Sequence, residues 1–166
     1  MMNKIELRDI ALEKRYSLDQ KTASNNVINK IVESKILLDY QKIGIYYPIK
    51  NEISLLNLLD IYPGKDFYLP KTSNYIEFVK YKRNDALING KYNIPEPTGI
   101  SEVPEVLLIP VLAVNHLNYR LGYGGGFYDN YLKNFKGLKV GICYKELLID
   151  FTPNTWDIPL DMVILG

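Results

Sequence analysis

Arg120 to Asp129 reads RLGYGGGFYD, which sets an arginine, four of the chain's 11 glycines and a carboxylate within ten positions. Consecutive glycines leave backbone N–H groups unshielded by Cβ atoms, so an anion can approach a nest of amides. Arg120 adds a bidentate phosphate ligand, and Asp129 a carboxylate suited to a divalent cation. The stretch follows the apolar run EVLLIPV and the polar turn NHLN, and it leads into a helix whose N-terminus brings partial positive charge. No Gly-Lys-Ser/Thr follows, so this is not a Walker A loop, and Phe127 stands where the dinucleotide fingerprint needs its third glycine. On these residues alone, phosphate binding and a plain hairpin tip stay open alternatives.

A second cationic feature lies near the start. At 100° per residue Lys4, Arg8 and Arg15 share a helical sector of about 40°, with Glu6, Asp9 and Glu13 roughly opposite. Pairing at i,i+4 would mix the signs on one face; this pattern separates them, as a polyphosphate clamp or a solvated face would. Arginine is scarce here, four residues against 16 lysines, and three of the four fall in these two features. In YYPIKNE, Tyr47 and Glu52 follow a strand end, where open α/β sheets bind ligands, although Glu52 could equally cap the next helix. His116 is the only histidine and reads as a surface turn residue; Cys143, the only cysteine, reads as a buried strand residue.

These side chains need a scaffold, and the hydrophobic pattern supplies one. Helices are expected from Asn3, as N-cap, to Tyr16, over 23–38, over 53–61 and from Phe127 to Leu132. Strands are expected at KIGIYYP, DFYLP, EVLLIPV, LKVGICY and PLDMVIL, with YIEFVKY in an edge hairpin and GKYNIPEP as a proline-stiffened segment. Strands alternating with helices imply crossover units and a parallel sheet. No repeat, low-complexity tract or linker interrupts the pattern, and 166 residues suit one domain.

Composition narrows the function classes. A net charge of +1 gives no global field for nucleic acid or membrane, and no apolar stretch approaches the ~20 residues of a bilayer span. A lone cysteine excludes an internal disulfide and a cysteine metal cluster, and fits a reducing cytoplasm. A single-stranded RNA binder using the 14 tyrosines would need clustered basic residues between them, which are missing.

The segments KIELR, IYYPIKNEI, YLP, NIPEP, LIPVLAV, RLGYGGGFYDNYL, VGICY and WDIPLDMVI, in this order, resemble the 5-formyltetrahydrofolate cyclo-ligase family across almost the whole chain. The resemblance implies a single three-layer α/β/α domain over 1–166 with a mainly parallel sheet, related to the ribose-5-phosphate isomerase and CoA-transferase group. It implies ATP contacts at Lys4, Ile5, Glu6, Leu7 and Arg8, and at Arg120, Leu121, Gly122, Tyr123, Gly124, Gly125, Gly126, Phe127 and Tyr128. Catalytic roles fall to Arg120 and Tyr128. Folate contacts fall on Tyr47, Glu52 and the loop from Tyr123 to Phe127, and magnesium on Asp129 and Asp157. The implied activity is ATP-dependent closure of 5-formyltetrahydrofolate to 5,10-methenyltetrahydrofolate by a cytoplasmic monomer that engages neither nucleic acid nor membrane. Three departures stand out: Asn115 where the family has an aspartate, Asn154 where a glutamate is usual, and no late threonine at Ile164 to Gly166. They leave a non-catalytic folate-storage protein as the alternative.

Overall fold

The structure, a computed structural model, describes residues 2–166. Helix α1 spans Lys4–Tyr16 and opens on a capping box: Asn3 Oδ1 accepts from Glu6 N at 2.9 Å, and Asn3 N donates back to Glu6 at 3.2 Å. Helix α2 spans Gln20–Ser34, not 23–38. Asp19 starts it early by accepting from Thr22 N at 3.1 Å, and Lys35, at φ 58°, turns the chain left-handed and stops it.

Strand β1 (Lys42–Gly44) is shorter than expected, because the chain leaves the sheet before Tyr46 and Pro48. The helix expected over 53–61 forms only as α3, Leu58–Ile61. Upstream, Ile53 and Leu55 are buried, and side chains of other elements satisfy the backbone. Tyr46 Oη donates to Ile53 O at 2.6 Å, and Ser54 N donates to Ser24 Oγ at 2.8 Å. Tertiary contacts overrode the helical pattern there.

Strands β2 (Asp66–Thr72) and β3 (Ile76–Tyr81) form the edge hairpin, and β4 (Leu87–Asn89) with β5 (Pro95–Pro97) makes a separate antiparallel pair. Strand β6 (Val106–Pro110) is followed by the small hairpin β7 (Ala113–Val114) and β8 (Arg120–Leu121), then α4 (Phe127–Leu132). Strand β9 (Leu138–Cys143), a 3-10 turn at Lys145–Leu147 and β10 (Met162–Leu165) complete the chain.

The main sheet runs β10-β9-β6-β1-β2-β3, with every pairing parallel except β2 with β3. Val106 to Ile109 are all buried, so β6 is covered on both faces, as a central parallel strand must be. Full burial of each such side chain is worth about 1.5–3 kcal/mol. The sheet is thus the middle of three layers, with α2 packed beside β10 and α4 beside β3. Cys143 is part of this core, where burial pushes its thiol up to about 12. No helix among the described residues is long and apolar enough to cross a membrane.

From β1 the chain winds outward to β2 and β3, then returns to the other side of β1 to build β6, β9 and β10. The reversal lies between β1 and β6, and in open α/β sheets the crevice beyond the strand ends at such a point is where ligands bind. The segment after β1 carries Tyr47 and Glu52; the segment after β6 carries the glycine loop.

Candidate active site

The β7–β8 hairpin aims the glycine loop. Asn115 is buried at its turn: Oδ1 accepts from Leu117 N and Tyr119 N, both at 3.0 Å, and Nδ2 donates to Phe151 O at 3.0 Å. An aspartate could not make that last bond, so the Asn115 departure has a structural task of its own. The hairpin delivers Arg120, whose Nη2 donates to Asp129 Oδ1 at 2.8 Å. The Arg120 guanidinium lies over the Tyr128 ring, 5.5 Å from its centroid, and within 3.2 Å of where a Cβ on Gly122 would stand. Gly122 is therefore small to admit the arginine. Arg120 Nε is buried and donates to no acceptor among the described residues, and burial pulls the guanidinium's pKa down while Asp129 opposes the shift. A buried charged donor left over is costly and is the signature of a group aimed at something else.

Gly124 and Gly126 take φ of 98° and 73°, left-handed values that glycine adopts at little cost; Gly125 does not. Among the described residues the amides of Tyr123, Gly124, Gly125 and Gly126 donate no hydrogen bond within the protein. Helix α4 has only six residues, so the anion affinity expected of its N-terminus rests on these loop amides instead.

Two of the three cations of the α1 stripe, Arg8 and Arg15, contact this loop, and Lys4 reaches the Asp157 segment beside Asp129. Lys4 Nζ pairs with Asp157 Oδ2 at 2.8 Å, and that oxygen also accepts from Asn154 N at 2.7 Å, closing the turn before α1's partner segment. Arg8 Nε donates to Gly122 O at 2.7 Å. Arg15 is only 1% exposed, so the solvated-face reading fails for it. Its Nε donates to Lys50 O at 3.0 Å and its Nη2 donates to the Tyr123 hydroxyl. Within the stripe's first turn, Ile5 points to solvent, Glu6 serves the capping box and Leu7 packs on the core.

Glu52 is 5% exposed and caps no helix. Its Oε2 accepts from Ile49 N at 3.0 Å and its Oε1 from the Tyr123 hydroxyl at 3.2 Å. Burial raises its pKa, against the opposing pull of the Ile49 amide, Arg15, Tyr123 and Lys50. Burial likewise pushes the Tyr128 and Tyr123 phenols well above their usual value, so both stay neutral donors. Tyr47 lies half-buried, packed against the core. Ile158 N lies 3.5 Å from Asp129 Oδ1, which brings the Asp157 segment beside Asp129. His116 stays apart on its surface turn, 3.8 Å from Asp150.

Three residues beside the site escaped the sequence. Lys50 and Asn51, at φ 50° and 60°, form a left-handed turn that places Glu52, and the only hint of it was the Lys-Asn pair itself. Tyr92, edge-on to Phe127 at 5.4 Å between centroids, was one tyrosine among 14.

The glycine loop, with Arg8, Arg15 and Arg120 against it, follows β6 at the switch point of a mainly parallel sheet, which defines an open α/β protein with a candidate anion site. The chain belongs to the 5-formyltetrahydrofolate cyclo-ligase family, whose model matches residues 2–166. It is 32% identical to a 5-formyltetrahydrofolate cyclo-ligase of Mycoplasma genitalium over 171 residues, covering 99% of this chain and 98% of that one. The corresponding protein of Mycoplasma pneumoniae is 31% identical, with 98% of each chain covered. Among solved structures, a 5,10-methenyltetrahydrofolate synthetase of Aquifex aeolicus superposes with a TM-score of 0.86 at 33% identity, over 99% of this chain and 90% of that one.

Proposed function

We propose that the protein is an ATP-dependent ligase that closes 5-formyltetrahydrofolate to 5,10-methenyltetrahydrofolate, releasing ADP and phosphate. The observation that carries this reading is the convergence of Arg120 and Arg8 on a loop of unpartnered amides, with one buried N–H of Arg120 left over and Lys4 held on the neighbouring Asp157. The formyl oxygen is a poor leaving group. Phosphoryl transfer to it from ATP, followed by N10 attack on the formyl carbon, lets that oxygen depart as phosphate. Such a reaction asks the protein for positioning and charge neutralisation, with no side-chain nucleophile.

The chain's residues divide that task. The loop amides and Arg120 Nε would hold the transferring phosphoryl group, Arg8 and Lys4 the rest of the polyphosphate, and neutral Tyr128 would donate at the reacting oxygens. Glu52 offers two acceptor oxygens in a buried setting, suited to the paired N–H groups of a pterin edge, with Tyr47 beneath. Asp129 and Asp157 are neighbours, each with only one oxygen committed to a cation; that fits Mg²⁺, which favours one or two carboxylates completed by phosphates. Magnesium held there would neutralise phosphate charge. We read the chain as one catalytic unit, working as a monomer on two small molecules in a cytoplasm. No observation favours the storage reading, because storage would not call for a buried arginine N–H left without an acceptor beside an amide-lined loop.

The test is absorbance of the methenyl product after mixing protein, 5-formyltetrahydrofolate, ATP and magnesium. Product only when ATP is present is expected; equal turnover without ATP, or folate binding without turnover, would reject the reading. Arg8→Ala should weaken ATP binding roughly 10- to 150-fold, the worth of a charge-assisted hydrogen bond, as read by calorimetry. Unchanged ATP affinity would return Arg8 to the role of a loop brace.

Glu52→Gln separates function from stability. The folded carboxyl titrates above its unfolded value of roughly 4.3, so its ionisation removes stability as pH rises through the raised value. The glutamine variant should therefore gain melting temperature relative to the parent as pH goes from about 5 to about 8, while folate affinity falls roughly tenfold or more. A lower melting temperature at the higher pH with unaltered folate affinity would make Glu52 a purely structural anchor.

A further inference from the structure

Arg15 is the deepest charge of the α1 stripe and the one for which the proposed chemistry has no task. Its guanidinium joins two segments that belong to different parts of the site. One bond goes to the carbonyl of Lys50 at 3.0 Å, and another to the Tyr123 hydroxyl, over whose ring it also lies at 5.6 Å from the centroid. A phenol carries a single hydrogen. With Arg15 donating to its oxygen, Tyr123 has that hydrogen free for Glu52 Oε1, 3.2 Å away. The chain of bonds from Arg15 through Tyr123 to Glu52 therefore has one direction.

Both ends of this chain are tied to further residues of the site. The left-handed Lys50–Asn51 turn is braced by Arg15 on Lys50 O, by Asn51 Nδ2 on Arg15 O at 2.6 Å and Leu18 O at 3.0 Å, and by Tyr144 Oη on Asn51 O at 2.7 Å. At the other end Tyr123 stands between Gly122, whose carbonyl accepts from Arg8, and Gly124, whose Cβ position lies 3.5 Å from the Arg8 guanidinium. The same three-residue peptide thus touches Arg8 on one side and Glu52 on the other. A ligand that draws Arg8 or the loop amides must move or fix the hydroxyl that orients Glu52.

We infer that Arg15 is a positioning residue that, through the Tyr123 hydroxyl, couples nucleotide occupancy of the glycine loop to folate affinity at Glu52. This rests on the function proposed above. The experiment is calorimetric titration of 5-formyltetrahydrofolate with and without a non-hydrolysable ATP analogue, in the parent, Tyr123→Phe and Arg15→Lys. The analogue should tighten folate binding in the parent by roughly 5- to 150-fold, and folate should tighten analogue binding by the same factor. Tyr123→Phe keeps the ring beneath the cations and removes only the hydroxyl; it should fold with a melting temperature lower by a few degrees, because Arg15 and Glu52 each lose a buried partner, while the coupling factor falls to about one. Arg15→Lys keeps the charge but not the fork that spans Lys50 and Tyr123, and should lose the coupling too. If Arg15→Lys does not fold, Tyr123→Phe decides. Parent-like coupling in either folded variant, or a parent that binds both ligands independently, would overturn the inference. A parent that binds neither ligand would overturn the proposed function and this inference with it.

Discussion

Arg120→Lys is expected to give a folded protein that turns over about a hundred- to a thousandfold more slowly than the parent, the cost of one preorganised donor at a developing charge. The lysine retains the positive charge opposite Asp129, so the half-buried carboxylate keeps a counterion. What disappears is the planar fork: one arm holds Asp129 at 2.8 Å, and the Nε–H has no acceptor within the protein. Arg120→Ala would be a poorer test, because it leaves the half-buried Asp129 carboxylate unpaired and empties the arginine's buried site, and loss of stability would mimic loss of catalysis. The measurement is kcat, KM and melting temperature on the same preparation. A fall in kcat with the fold intact assigns the Nε–H to the transferring group. Turnover within about threefold of the parent would leave Arg120 as a mere partner of Asp129, because an interaction made in the transition state is worth far more than that.

The parts of this site that were legible in the sequence are those fixed by local geometry. The angular coincidence of Lys4, Arg8 and Arg15 follows from helical pitch alone; Arg8 and Arg15 do reach the loop, and Lys4 reaches Asp157. The succession of strands and helices follows from where apolar runs alternate with helical ones, whereas the order of strands in the sheet, and with it the switch point, does not. Illegible were the features decided by residues far along the chain. Whether Arg15 lies in water or under Tyr123 depends on a loop more than 100 residues away, and the helix pattern is the same in either case. The stretch after Glu52 has enough apolar residues for a helix, yet Ser24 and Tyr46 capture its backbone and hold it extended. The second helix was displaced for a smaller reason: Asp19 outcompeted later start signals, and Lys35 adopted a conformation its identity does not advertise. In the glycine run, three identical residues carry three different constraints, and only the dihedral angles tell them apart.

Gly124→Ala is the sharpest test of those constraints. At φ 98° an alanine is strained whatever room it has, and the chain must give up roughly 1–3 kcal/mol or rotate towards a negative φ. Rotation would swing the neighbouring peptides, and with them the Gly122 carbonyl that holds Arg8 and the amides that face the anion. The new methyl itself would rest about 3.5 Å from the Arg8 guanidinium, ordinary contact that blocks nothing by bulk. The expected loss is therefore one of placement: on the order of 100-fold in turnover for a shift of about 1 Å, with a melting temperature lower by a few degrees. Gly64→Ala is the matched control, since Gly64 has no positive φ and its added methyl meets nothing within 4 Å. That variant should turn over as the parent does. Gly125→Ala would be less informative, because its methyl meets the Phe127 ring at 3.0 Å and the ring can move aside. A folded Gly124→Ala protein with near-parental turnover would mean that the loop's left-handed bend serves only the hairpin, and that its amides do not hold the transferring group.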